Sequence, residues 1–191
     1  GRLEEAIEAF TRVLSIKPDI AETEYNLGVA LKEVGKPEEA IGAFTRALLI
    51  NPEFSEAHTN IGATLQEEGK IDEALEAYTK AISKDPESFR TFYNIGVIYT
   101  EIGELEKALE AYTKAISIEP EYVDAYNNMG NVLSRLGNVE EAIDAFQKAL
   151  SINPNYVDAY INKGNAFREQ NKLEKALEAY TKAISKDPES F

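Results

Sequence analysis

The chain has 191 residues, 43% of them hydrophobic, and a formal charge of −14 from 34 acidic and 20 basic side chains. That charge repels a phosphate backbone and argues against nucleic acid as a partner, and the longest apolar run, Ala47-Leu48-Leu49-Ile50, is far too short for a membrane span. With no cysteine there is no disulfide, which fits a reducing, cytoplasmic compartment, and the start at Gly1 without a basic-then-apolar leader reads as a soluble fragment lacking a targeting peptide.

The first predicted element is a lone helix over 2–16, carrying Ala6 and Phe10 and followed by Pro18. From residue 21 the chain falls into two-helix units. In 21–54 the first helix stops at Gly35, and Pro37 sits in the first turn of the second, where a missing N–H is tolerated. Ala40, Phe44 and the closing Pro52 follow. Unit 55–88 repeats the plan with Gly62, Gly69, Ala74, Tyr78 and Pro86. In 89–122, Phe92, Ile95, Gly96 and Tyr99 recur at helical spacing up to Gly103, and Leu105, Ala108, Leu109, Tyr112, Ala115 and Ile116 form a second stripe. Unit 123–156 carries Gly137, Ala142, Phe146 and Pro154, and unit 157–190 carries Asn171, Ala176, Tyr180 and Pro188. Six of the seven prolines therefore stand at a constant interval of 34 residues, and ALEAYTKAIS recurs verbatim at 74–83, 108–117 and 176–185. Asn171 stands in the terminating glycine's register, and asparagine is the next residue able to adopt the left-handed conformation that ends a helix.

This pattern resembles the tetratricopeptide (TPR) family, whose 34-residue unit has an early aromatic, a Leu-Gly pair, a mid-repeat Ala, an aromatic four residues later and a final Pro. The resemblance implies an all-α fold, an α-α superhelix (solenoid) of helix-turn-helix repeats forming one array over 1–191. Stacked units share one continuous core, and their first helices line a concave binding face. The early aromatic, Phe92, Tyr126 and Tyr160 in later units, is replaced by Glu24 and His58, where looser packing is expected. Leu177, Tyr180 and Ile184 of the last second helix are expected to lie exposed unless something follows Phe191, which would favour self-association.

No enzyme chemistry emerges. One histidine and no cysteine leave neither a nucleophile-base pair nor a metal cluster, so no catalytic residue, metal site or cofactor is expected. Glu38-Glu39, Asp72-Glu73 and Glu140-Glu141 sit in the first turns of second helices, where they complement the helix dipole. One row stands out. The sixth position of every unit is asparagine: Asn26, Asn60, Asn94, Asn128 and Asn162. Asparagine is a mediocre helix former. A carboxamide can pair with both the N–H and the C=O of a peptide whatever its side chains. In the resembled family this position faces the groove, and the row is similar to the asparagine ladder of the array attached to O-GlcNAc transferase.

Helical phase assigns positions two, five, nine, twelve and thirteen to the same face. Position two is Glu22, Glu56, Arg90, Asp124 and Asp158, mostly acidic, which favours a basic or hydroxyl-rich peptide. Position nine changes from Val29, Ala63 and Val97 to Asn131 and Asn165, and Asn127 adds another amide nearby. Lys32, Arg90, Arg135 and Arg168 are too scattered for a carboxylate clamp. The sequence thus reads as a protein- or peptide-binding scaffold; the alternatives are a self-associating structural spacer and the recognition arm of a larger enzyme such as a glycosyltransferase. Replacing Asn94 and Asn128 by Ala is expected to leave folding intact, because Ala is the better helix former on an exposed face.

Overall fold

The structure is a computed structural model describing residues 1–188; Glu189, Ser190 and Phe191, with which the last predicted unit ends, lie outside the described residues. It is all-α. The helices are α1 (Arg2–Ile16), α2 (Ala21–Glu33), α3 (Pro37–Ile50), α4 (Ser55–Glu67), α5 (Ile71–Lys84), α6 (Phe89–Glu101), α7 (Leu105–Ile118), α8 (Val123–Arg135), α9 (Val139–Ile152), α10 (Val157–Glu169) and α11 (Leu173–Lys186). The chain divides into two compact units, Gly1–Thr91 and Phe92–Phe191, each built of helical hairpins stacked as in an α-α superhelix.

The hairpins follow from a few residue types. Pro37 takes the first turn of α3, and acidic residues fill the first turn of α3, α5, α7, α9 and α11, where the N-terminal partial charge is positive. The hairpin turns carry Gly35, Gly69, Gly103 and Gly137 at φ between 74° and 83°, and Asn171 takes the same conformation at φ 58°. Beside the turns, the backbone N–H of Lys36 reaches the carbonyl of Leu31 at 3.0 Å and that of Lys172 reaches Phe167 at 2.9 Å, satisfying carbonyls the helix end would leave orphaned.

The core lies between the helices of each hairpin and between neighbouring hairpins. In unit one, Leu27, Leu31, Ala40, Phe44 and Ala57 are buried, and Ile7 and Phe10 of α1 pack against them. In unit two, Leu133, Ala142, Phe146, Ala149 and Ala159 form the equivalent cluster. Each of the five hairpins is closed by one contact, a first-helix glycine against a second-helix ring. A Cβ on Gly62 would stand 2.6 Å from Tyr78, and one on Gly130 would stand 2.5 Å from Phe146. Tyr78 is fully buried, its hydroxyl donating to Gln66 Oε1 at 3.1 Å; Tyr112, equally enclosed, has its hydroxyl pushed up to about 12 by burial, offset in part by its bond to Thr100.

Where the early aromatic is missing, the packing is polar rather than loose. Glu24 is buried and accepts a bond from Arg46 Nε at 2.8 Å, while its second carboxylate oxygen has no partner. His58 is half-buried, and burial, then Lys80 and Lys84, hold its imidazole below the usual range. On α11, Leu177 and Ile184 are exposed as expected, whereas Tyr180 is half-buried and donates to Asn165 Oδ1 at 2.8 Å.

A Gly62→Ala substitution tests the hairpin contact. The methyl gains about 1 kcal/mol of helix propensity but meets the Tyr78 ring well inside van der Waals distance, and overpacking costs about 1–3 kcal/mol. Urea unfolding is expected to show net destabilisation, relieved in the Gly62→Ala/Tyr78→Leu pair beyond additivity; additive effects would show that the contact is not limiting.

Candidate peptide-binding site

The asparagines stand two residues before the hairpin glycine, on the flank of each first helix turned from the ring contact. Asn26 is exposed, and Asn60, Asn94, Asn128 and Asn162 are half-buried. Three of the five are engaged by neighbouring groups. Asn60 Nδ2 donates to the Tyr25 hydroxyl at 3.0 Å and to its own helix at the Glu56 carbonyl, also at 3.0 Å. In unit two, Asn128 Nδ2 donates to the Tyr93 hydroxyl at 3.1 Å and Asn162 Nδ2 to Asn127 Oδ1 at 3.0 Å. In all three the donor is the sixth position of one repeat and the acceptor the fifth position of the repeat before. The amide hydrogens thus key one hairpin to the next, and the carbonyl oxygens make no bond among the described residues. This departs from the sequence expectation. An asparagine that holds a neighbouring hydroxyl also joins two repeats, and its loss is expected to carry a folding cost.

The second-position row is likewise mixed. Glu22, Glu56 and Asp158 are exposed, while Asp124 is half-buried and accepts the Tyr156 hydroxyl at 2.6 Å. Burial first, then that bond and the charges of Asp124 and Asp158, push the Tyr156 hydroxyl far above its ordinary value, so it stays a donor. Arg90, the one basic member, lies over the Phe89 ring at 5.5 Å. Burial, partly offset by the bond from Asn60, also raises Tyr25; Glu56 adds to the rise and Arg90 opposes it, which places both charges near that hydroxyl.

At the ninth position Val29, Ala63, Val97, Asn131 and Asn165 are all half-buried. Asn131, Asn162 and Asn165 meet with Arg135 and Glu169 around an open hollow of about 370 Å³ between α8 and α10. Two of the four scattered cations are already engaged: Lys32 pairs with Glu67 at 3.0 Å, and Arg135 donates to the Thr100 carbonyl at 3.0 Å.

Sequence reasoning placed the amides but not their acceptors or the aromatic pairs beside them. The Tyr25 ring lies 4.8 Å from Phe54, and the Tyr93 ring meets Tyr122 edge-on at 4.9 Å. The available signal was an oxygen-bearing side chain, Tyr25, Tyr93 or Asn127, recurring 35 residues before an asparagine. No cluster of metal-ligating side chains occurs among the described residues, and none of their helices is long and apolar enough to cross a membrane.

This is the architecture of a helical-repeat interaction module. Tetratricopeptide repeat profiles match residues 21–54, 123–156 and 157–190, with related profiles over 1–20, 43–76, 65–103 and 96–137, and the chain belongs to that family. No curated protein matches it significantly. Among solved structures it resembles MamA, at 28% identity and TM-score 0.77 over 86% of this chain and 96% of that one. It also resembles YrrB, described as a TPR protein with an unusual peptide-binding site, at 25% identity and TM-score 0.74 over 96% and 94% of the two chains. PilF of Pseudomonas aeruginosa shares the fold at 22% identity and TM-score 0.79, over 97% and 78%.

The seam bonds predict a measurable cost. Asn128→Ala strands the Tyr93 hydroxyl, and the lost bond is worth about 0.5–1.5 kcal/mol. Chemical denaturation is expected to show a loss of that size, most of it absent when the same change is made in a Tyr93→Phe background. Equal losses in both backgrounds would place the cost elsewhere.

Proposed function

We propose that the chain is a binding scaffold, not an enzyme, and that it holds an extended peptide along the first-helix face, with the asparagine carbonyls as sequence-independent acceptors. The observation that carries this is the seam geometry. Asn60, Asn128 and Asn162 are each anchored by their own N–H groups, so each carbonyl is pre-oriented and can accept a peptide N–H at little entropic cost. At Asn60 only the carbonyl is left for a peptide, because both amide hydrogens are already engaged. Family membership and the likeness to YrrB, itself a peptide binder by its description, support a protein or peptide partner. The row's similarity to the array of O-GlcNAc transferase supports the same reading.

The ligand's shape follows from spacing. Packed helices stand about 8–10 Å apart, and a polyproline-II chain advances about 3.1 Å per residue with three residues per turn. Successive rungs then meet about every third residue, always on one side of such a chain. A β-strand would alternate faces over an odd step. The second-position carboxylates favour a ligand with basic or hydroxyl-bearing side chains.

The test is affinity for a proline-rich dodecapeptide, measured beside folding stability. Asn128→Ala/Asn162→Ala removes at least two acceptor bonds worth about 0.5–1.5 kcal/mol each, so binding is expected to weaken about 5- to 150-fold while the protein stays folded. Unchanged affinity would leave the amides with the seam role alone.

A further inference from the structure

In unit two, α9, α10 and α11 line a hollow of about 310 Å³ that contains none of the ladder asparagines. Its cations are unexpected in a chain of charge −14. Lys163 comes from α10, Lys175 and Lys182 come from α11, and the one carboxylate among the lining residues is Glu178. Lys163 stands at the seventh position of its repeat, where the other full units carry Leu27, Ile61, Ile95 and Met129. A half-buried ammonium in an otherwise apolar column costs solvation and calls for a reason. The hollow one repeat earlier supplies the comparison. There Met129, Glu141, Asp144 and Lys148 occupy the registers of Lys163, Lys175, Glu178 and Lys182, so two carboxylates face one ammonium, a formal charge of −1. Between α10 and α11 three ammoniums face one carboxylate, a formal charge of +2.

Geometry brings these cations together. The Lys163 and Lys175 ammoniums both lie over the Phe167 ring, 5.6 and 5.7 Å from its centre. Lys163 also donates to Gln147 Oε1 at 2.5 Å, whereas Lys182 is paired with Glu178 at 2.9 Å. Neither Lys163 nor Lys175 has a carboxylate partner among the described residues. One ring therefore gathers two ammoniums that no anion neutralises, and a ring quadrupole is a weak counter-ion. Burial first, then Lys182 and Lys175, hold Lys163 below its usual range against the opposing pull of Glu178 and Asp144. An anion seated between the two ammoniums would relieve their repulsion, and the apolar walls given by Leu150 and Ala179 would strengthen the attraction by excluding water.

We propose that this hollow docks an acidic segment of a protein partner, with a glutamate or aspartate carboxylate bridging Lys163 and Lys175. The two unpaired ammoniums offer one donor to each carboxylate oxygen. No arginine lines the hollow, so the forked donor that best suits a phosphate is missing. The site goes beyond the asparagine-face reading and does not depend on it.

The experiment titrates the whole chain with the hexapeptide Gly-Ser-Glu-Glu-Ser-Gly and with its glutamine twin, following lysine methylene signals in a carbon-13 correlation spectrum. Salt at about 0.15 M screens acidic side chains more than about 8 Å from the hollow. The glutamate peptide is expected to bind about 5- to 30-fold tighter, as two partly exposed ion pairs allow, and to shift Lys163 and Lys175 while Lys148 of the neighbouring hollow stays in place. Lys163→Met, which installs the residue of the preceding unit, is expected to remove the preference, and so is Lys175→Glu, made at an exposed position outside the core. Chemical denaturation checks that each variant stays folded. Equal binding of the twins, shifts spread evenly over the lysines, or a preference kept by folded Lys175→Glu would overturn the seat. A phosphoserine peptide binding more than about tenfold tighter than the glutamate one would make the hollow a phosphate site instead. Self-association in sedimentation that Lys163→Met abolishes would assign it to a second copy of this chain, and either result would overturn the acidic-partner assignment.

Discussion

Everything in this molecule depends on a backbone without a side chain meeting an aromatic ring. At Gly28, Gly62, Gly96, Gly130 and Gly164 the first helix lets a ring of the second come so close that a methyl would stand 2.5–2.6 Å from it. Each glycine costs about 1 kcal/mol of helix propensity, whereas burying a large aromatic side chain is worth about 1.5–3 kcal/mol. The ring wins, and in doing so fixes the phase of both helices. Once the glycine flank is committed inward, the residues around positions two, six and nine are left for polar work on the other flank.

That division lets one row of asparagines join neighbouring repeats and still carry the binding role proposed for it. A carboxamide has two hydrogens and two lone pairs. In Asn60, Asn128 and Asn162 the amide nitrogen donates one bond to the preceding repeat, and the oxygen makes no bond among the described residues. Buried polar bonds of this kind specify register as much as they stabilise, because a shifted stack would strand a hydroxyl in a half-buried seam. On the proposed reading, side chains anchored in this way need little reordering to accept a peptide backbone.

The hairpins were legible in the sequence because each depends on one residue type at a fixed interval. A proline at the helix exit, a glycine or Asn171 at positive φ and a paired glycine and aromatic can each be satisfied in only a few ways. The seams were harder to read. The acceptor for each asparagine lies one repeat away and changes from tyrosine to asparagine, so no single column announces it. The Glu24–Arg46 pair shows the same limit, since a carboxylate in an aromatic's place reads as a defect until its partner across the hairpin is seen. Asp124 reads as a free surface charge until Tyr156 is found donating to it.

The central claim is that a peptide lies against the asparagine face, and the side-chain amides report on that directly. In a nitrogen-15 correlation spectrum of the whole chain, titration with a proline-rich peptide should shift the side-chain NH₂ signals of Asn60, Asn128 and Asn162, because a new bond to each carbonyl polarises its amide. In a parallel carbon-13 correlation spectrum the methyl signals of Leu49, Leu173 and Leu177, exposed on second helices, should stay in place. Shifts confined to those leucines, with the asparagine signals unmoved, would put the ligand on second-helix surfaces and contradict the account.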